Sequence, residues 1–170
     1  MARVFVSIGS NVERERNIAL ALELLRARFG ELQQSNIYES AAVGFNGDPF
    51  LNLVVAFDCD AEPCQIVSSL HEVERKCGRA RGAKRYGPRT MDLDLLLVGD
   101  RVMREDGIVL PHEEISTQAF VLRPLAELAA ERKHPVSGAT FASMWSRLQG
   151  KAEPLRRVEI GATSRSGSEA

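Results

Sequence analysis

Hydrophobic and polar positions alternate with period two in four stretches of the chain, and two stretches between them carry apolar residues at helical spacing. In "RVFVSIGSN", Val4, Val6 and Ile8 alternate with Phe5 and Ser7, which predicts a strand running into a helix. Gly9-Ser10-Asn11 offers a turn there with side chains suited to an N-cap. From Glu13 to Phe29 the residues Ile18, Leu22, Leu25 and Phe29 recur at helical spacing, and Gly30 supplies the stop. "QSNIYES" is a short strand candidate. "FLNLVVAFD" is a longer one, with Leu51, Leu53, Val55 and Phe57 on one face and Phe50, Asn52, Val54 and Ala56 on the other. Pro63 suits the first position of a second helix, whose stripe Ile66, Leu70, Val73 and Cys77 ends at Gly78. "MDLDLLLV" is the fourth strand, predicted to send Met91, Leu93, Leu95 and Leu97 into the core.

The order β-α-β-β-α-β predicts an α+β fold with a ferredoxin-like core, an antiparallel sheet and additions after residue 100. Residues 1–150 are expected to form one domain, and the Ser, Gly and charge-rich stretch from 151 to 170 a flexible polar tail. A net charge of -1 and a pI near 6.3 exclude a global basic field of the kind that binds nucleic acid indiscriminately. Cys59, Cys64 and Cys77 lack the paired spacing of zinc or redox motifs and read as small reduced core residues. No stretch approaches the roughly 18 apolar residues of a membrane span, and no basic-then-apolar leader is visible, so a cytoplasmic protein is expected.

Candidate chemistry concentrates before the fourth strand. Period two puts Asp92 and Asp94 on one face. Two carboxylates ~6 Å apart repel by about 3 kcal/mol at an effective dielectric of ~20, so the pair calls for a cation. Magnesium suits it, since that ion takes one or two carboxylates together with waters and phosphate oxygens. The preceding loop, "GRARGAKRYGPR", carries Arg79, Arg81, Lys84, Arg85 and Arg89 among three glycines, a composition that suits a clamp for polyphosphate. Nucleic-acid phosphates would suit the same cations, but "NLVVAFD" lacks the paired aromatic platform of an RNA-binding module of this fold order. No GxxxxGK[ST] loop is present. Phe50 and Asn52 share a strand face, where a ring can stack on the first while the amide of the second meets a heterocycle's donor and acceptor edge.

"RYGPRTMDLDLLL", "FVSIGSN", "GFNGDPFLN" and "LPHEEISTQAFVLRPLAEL" together resemble the 6-hydroxymethyl-7,8-dihydropterin pyrophosphokinase family of folate synthesis, over residues 4 to about 130. The resemblance implies transfer of the β,γ-diphosphate of Mg-ATP to the pterin hydroxymethyl group, with release of AMP. It implies two magnesium ions on Asp92 and Asp94, and charge neutralisation by Arg79 and Arg89. It places Glu74, Arg81, Tyr86, Arg89, His112 and Gln118 by the nucleotide, and Ser40, Val43, Phe50, Asn52 and Phe120 around the pterin. ATP and the pterin are the expected partners of a monomer that binds neither nucleic acid nor membrane. His134 and Cys59 match nothing in the family pattern.

The chain also departs from that pattern. Gln118 stands where many members have arginine, Ser40-Ala41-Ala42 replaces a Thr-Pro-Pro-like stretch, Tyr86 replaces a common tryptophan, and Gly107 and Val109 replace basic and hydroxyl side chains. Arg123 is the nearest cation in sequence that would take over from the missing arginine. Gln118 and Gly107 motivate one rival to the enzyme, a pterin- or nucleotide-binding regulator without turnover. A ferredoxin-like RNA-binding module, suggested by the fold order and the basic loop, is the other.

Overall fold

The computed structural model of the protein describes residues 1–40, 48–78 and 91–160. The first strand, β1 (Ala2–Ser10), has the expected alternation, with Val4, Val6 and Ile8 fully buried. Helix α1 (Arg14–Phe29) buries Ile18, Ala21, Leu22 and Leu25 and ends at Gly30, whose φ of 87° is the left-handed backbone that glycine adopts without strain. The predicted capping by Gly9-Ser10-Asn11 is not what forms. The N-cap is Glu13, without a side-chain capping bond, while Ser10 and Asn11 are buried at the strand end. There the Asn11 amide donates to the carbonyl of Asp48, 3.1 Å away.

The single strand expected over "QSNIYES" is two, β2 (Gln33–Gln34) and β3 (Ile37–Ser40), both paired antiparallel with β4 (Phe50–Cys59). Gln34 faces Val55, so unbroken pairing would set Tyr38 opposite Leu51, but Tyr38 faces Asn52. Ser35 holds this one-residue slip: its N–H donates to the Val54 carbonyl and its hydroxyl accepts from the Val54 N–H, each at 2.9 Å. Because side chains alternate, the slip decides which face Tyr38 shares.

Helix α2 (Pro63–Lys76) starts with Pro63 inside a capping box formed by Glu62 and Gln65, and buries Ile66, Leu70 and Val73. It precedes β5 (Asp92–Val98). The sheet runs β5-β1-β4-β3 with antiparallel neighbours, the order of a ferredoxin-like core, as predicted. A hairpin of β6 (Met103–Glu105) and β7 (Ile108–Leu110) follows, then a turn of 3-10 helix (Glu113–Ser116), α3 (Ala119–Ala129) and α4 (Phe141–Leu148). Gly107, at φ 76° beside Asp106 at φ 55°, makes the hairpin turn, which accounts for a glycine at this position.

Each sheet face has its own core. One face, with Val4, Val6, Ile8, Leu53, Val55 and Phe57, packs on α1 and α2, where Phe29 stacks on Phe57 at 4.3 Å between ring centroids. The other, with Phe5, Val54, Ala56 and Leu96, packs on α3 and α4 through Val121, Leu122, Leu125 and Phe141. Leu97 belongs to this second cluster and not, as the alternation predicts, to the first. The β1–β5 register shifts between Phe5 and Val6, so Leu96 and Leu97 both join the α3 side. Among the cysteines only Cys77 is a core residue. Burial, reinforced by the charge of Glu74, pushes its thiol up to about 11, whereas Cys59 is half-buried and Cys64 exposed.

Of the loose tail predicted over 151–170, residues 161–170 lie outside the described residues, and the described part extends the sheet. A further strand, β8 (Arg156–Val158), pairs with the outer edge of β3, and Ile160, 8% exposed, packs into the first core cluster. Ile160→Ser is expected to lower unfolding free energy by about 2 kcal/mol, because it removes a buried aliphatic group and leaves a hydroxyl in its place. Urea denaturation checks this, and an unchanged midpoint with unchanged slope would show that the docked segment adds nothing to stability.

Candidate functional site

The polar end of the second sheet face collects residues from four strands by register alone. Asp92 faces Gly9, Gly9 faces Asn52, and Asn52 faces Tyr38; the neighbouring rows pair Asp94 with Ser7 and Phe50 with Ser40. Cross-strand partners share a face, so Asp92, Asp94, Asn52, Phe50 and Ser40 stand together on one surface. The predicted pairings of Asp92 with Asp94, and of Phe50 with Asn52, are what the registers produce.

Gly9 fits its place for a local reason. A Cβ at this position would lie 3.1 Å from Asn52 Oδ1, a tight contact that would require the amide to give by a few tenths of an ångström. Asn52 is 6% exposed, and its Nδ2 donates to Ser40 Oγ at 2.7 Å. Its orientation is thereby set, with Oδ1 over Gly9 and one N–H committed to Ser40. The amide retains a second N–H beside its carbonyl, the donor and acceptor pair that recognises a lactam or amidine edge.

The carboxylates sit at the start of an edge strand whose outward backbone groups need partners. Glu74, near the end of α2, supplies one: its Oε2 accepts from the Leu93 N–H at 2.8 Å, between the two aspartates. Glu74 is 6% exposed, and this bond fixes the stretch of β5 that aims Asp92 and Asp94. Sequence reasoning places Glu74 near the nucleotide but does not foresee this bond, because nothing in the spacing shows that the last turns of α2 meet the strand edge.

On the far side of Asp94 stands His112, its Nε2 4.0 Å from Asp94 Oδ1, with both side chains partly exposed. The β5 irregularity holds it in position, for the His112 N–H donates to the carbonyl of Leu96 at 3.0 Å. Its ring caps the 3-10 turn, Nδ1 accepting from the Glu114 N–H at 3.1 Å. Single ligand atoms of Asp94, His112 and Glu114 all lie within 4.8 Å of one another. The chain then passes through Gln118, the N-cap of α3, to Phe120, which is half-buried against the second cluster. Arg123 does not stand in for the missing arginine at 118: its guanidinium lies 4.6 Å from the Tyr38 ring centroid and 5.6 Å from that of Trp145.

Two supports of the site have no sequence signal. The Tyr38 hydroxyl donates to Glu127, which also accepts from the backbone and side chain of Asn36, and this ties β3 to α3. Burial, then the hydrogen bond to Glu127, raise the tyrosine's pKa. Arg14 bridges Glu39 at 2.7 Å and donates to the Pro49 carbonyl at 3.0 Å, while Arg156 of β8 reaches the other oxygen of Glu39. The Arg14 bond holds the Glu39 carboxyl below its usual range. Arg79, Arg81, Tyr86 and Arg89, together with Val43, lie outside the described residues.

Gly9→Ala is expected to displace the Asn52 amide and weaken heterocycle binding by about tenfold, since one positioned hydrogen bond is worth about 1 kcal/mol and the new methyl also crowds the pocket. Calorimetry with a pterin checks this, and unaltered affinity would show that the close approach at Gly9 is irrelevant to binding. Glu74→Ala should cost about 2 kcal/mol of stability by leaving the Leu93 N–H without its carboxylate, and Glu74→Gln, which keeps an acceptor, should cost less. Equal denaturation midpoints for the two variants would contradict the assigned bond.

The profile of the 7,8-dihydro-6-hydroxymethylpterin-pyrophosphokinase (HPPK) family matches residues 5–130. The 2-amino-4-hydroxy-6-hydroxymethyldihydropteridine pyrophosphokinase of Pseudomonas aeruginosa is 37% identical over 138 residues, covering 78% of this chain and 84% of its own length. The protein of the same name from Aquifex aeolicus is 36% identical over 139 residues, covering 80% and 86%. Larger relatives match through one portion only: the chain spans 20% of the folic acid synthesis protein fol1 of Pneumocystis carinii, at 30% identity over 148 residues. Among solved structures, Plasmodium falciparum HPPK-DHPS with pteroate superposes with a TM-score of 0.70 at 12% identity, over 88% of this chain and 43% of that one, and shares the fold. The chain belongs to the 7,8-dihydro-6-hydroxymethylpterin-pyrophosphokinase family.

Proposed function

We propose that this protein transfers the β,γ-diphosphate of ATP to the hydroxymethyl oxygen of 6-hydroxymethyl-7,8-dihydropterin, releasing AMP. The observation that carries the reading is the row Asp92–Gly9–Asn52. Two strand spacings separate carboxylate from amide, roughly 10 Å, a span suited to a bicyclic heterocycle read at one end while its short arm reaches the carboxylates. Asn52 would orient the ring, Phe50 and Phe120 would offer aromatic surface, and Ser40 and Val43 would border it. Family membership supports the same substrates.

Asp92 and Asp94 fit magnesium: both are hard carboxylate donors, half-buried, on one face, and accessible to waters and phosphate oxygens. Two such ions, when bound, would neutralise the phosphates and orient the attacking oxygen. The chain itself supplies position and charge. In the transfer the hydroxymethyl oxygen bonds the β-phosphorus and its proton passes to solvent, the bond from that phosphorus to the α,β-bridging oxygen breaks, and that oxygen leaves with AMP. Arg79 and Arg89 would neutralise charge on the moving diphosphate, while Glu74, Arg81, Tyr86, His112 and Gln118 border the nucleotide. We assign no side-chain base, because positioning and charge stabilisation dominate such transfers.

An RNA-binding module of this fold order would use the sheet face that α3 and α4 cover here. No helix among the described residues is long and apolar enough to cross a membrane. Three cysteines without a disulfide fit a reducing compartment, and we place the protein in the cytoplasm as a monomer.

Incubation with magnesium, ATP and the hydroxymethyl-dihydropterin should yield AMP and pterin diphosphate in equal amounts. ADP as the main product would replace this reading with a simple kinase, and tight ATP binding without product would replace it with a regulator. Asp92→Ala and Asp94→Ala should each reduce turnover by at least a hundredfold with the fold retained, and near-normal rates in either would refute the metal assignment.

A further inference from the structure

Asp94, His112 and Glu114 approach one another closely enough to suggest a carboxylate-histidine metal site. The ring of His112 argues otherwise. Its Nδ1 accepts from the Glu114 backbone N–H at 3.1 Å, so in the neutral ring Nδ1 carries the lone pair and Nε2 the hydrogen. Nε2 is the atom directed at Asp94, 4.0 Å from its Oδ1. What the ring presents to the site is therefore an N–H and not a lone pair. A second bond holds this arrangement, because the His112 backbone is itself fixed to the Leu96 carbonyl at the strand irregularity.

From this geometry we infer that the Glu114 amide locks His112 in its Nε2–H tautomer, making it a dedicated donor to an anionic oxygen beside Asp94 and withholding it from metal ions. In the proposed reaction, on which this part of the inference rests, the acceptor is a phosphate oxygen of the nucleotide. The capping bond thus serves as a specificity device. Asp94 stays available to a hard, oxygen-loving ion, whereas a softer divalent ion that prefers imidazole finds no nitrogen ligand. His134 provides an internal standard, since its Nδ1 accepts from the N–H groups of both Val136 and Ser137, which requires the same tautomer.

The chain has three histidines, so ring-labelled 15N spectra of the whole protein at neutral pH resolve the question directly, with His112→Gln identifying the signal. His112 should show the pattern of His134, with hydrogen on Nε2, and adding Zn2+ alone should leave the ring signals in place. Hydrogen on Nδ1, or zinc coordination at Nε2, would overturn the inference. Binding of a non-hydrolysable ATP analogue with magnesium supplies the second arm. His112→Gln, whose amide nitrogen lies near the Nε2 position, should bind within about threefold of wild type. His112→Asn, which can cap the turn but cannot reach the site, should lose about tenfold, as expected for a bond to a charged acceptor. Retained binding in His112→Asn with a loss in His112→Gln would show that only the cap matters, and equal losses in both would show that the Nε2 donor does not carry the affinity; either result would overturn the donor role. A wild-type chain that ignores the nucleotide would refute the proposed function and the donor role together, while the spectra would still decide the tautomer.

Discussion

The antiparallel register across β5, β1 and β4 is the constraint on which the rest of the site depends. It sets Asp92, Gly9 and Asn52 in one row, and a slip of one residue in either ladder would turn the carboxylates or the amide into the hydrophobic core. The cores on the two faces prevent that slip. Val4, Val6 and Ile8 are buried against α1 and α2, and Phe5, Val54 and Ala56 against α3 and α4, so a shifted register would bury Asp94 and expose aliphatic side chains on both layers.

On this frame the site is built from irregularities. The shift beside Leu96 sends two consecutive leucines to the α3 side, and the carbonyl of the first accepts the N–H of His112. The slip at Ser35 puts Tyr38 on the same face as Asn52, where its hydroxyl can reach Glu127 and its ring can meet Arg123. Bulges and slips re-aim side chains at little cost in hydrogen bonds when a side chain or a loop amide takes up the displaced pairing, as Ser35 and His112 do here. Arg14 and Arg156 likewise act on structure: they clasp Glu39 at the end of β3, next to Ser40.

Much of this was legible in the residue order. The ferredoxin-like succession follows from period-two and helical-period stretches, of which only the short "QSNIYES" misleads, as one strand where the structure has two. The convergence of Asp92 and Asp94, and of Phe50 and Asn52, follows from strand alternation within one element. Family motifs then carry the chemistry, and the family match over residues 5–130 agrees with them. The reading fails where a side chain's partner is remote in sequence. Ser10 and Asn11 look like helix caps because nothing local reveals that Asp48 needs a donor. Gly107 looks like a lost basic residue because only the hairpin shows that a left-handed turn is required there.

The sequence by itself determined the elements, the faces of each strand and the residue types gathered at the carboxylate end, since these depend on local periodicity and on chemistry carried by short motifs. Only the tertiary structure decided how the faces combine: that Glu74 secures Leu93, that Arg123 lies over Tyr38, that Arg156–Val158 extends the sheet beyond β3, and which nitrogen of His112 faces Asp94. The first three of these contacts join residues between 19 and 121 positions apart. Their formation rests on the packing of whole elements, a property that no window of the chain contains.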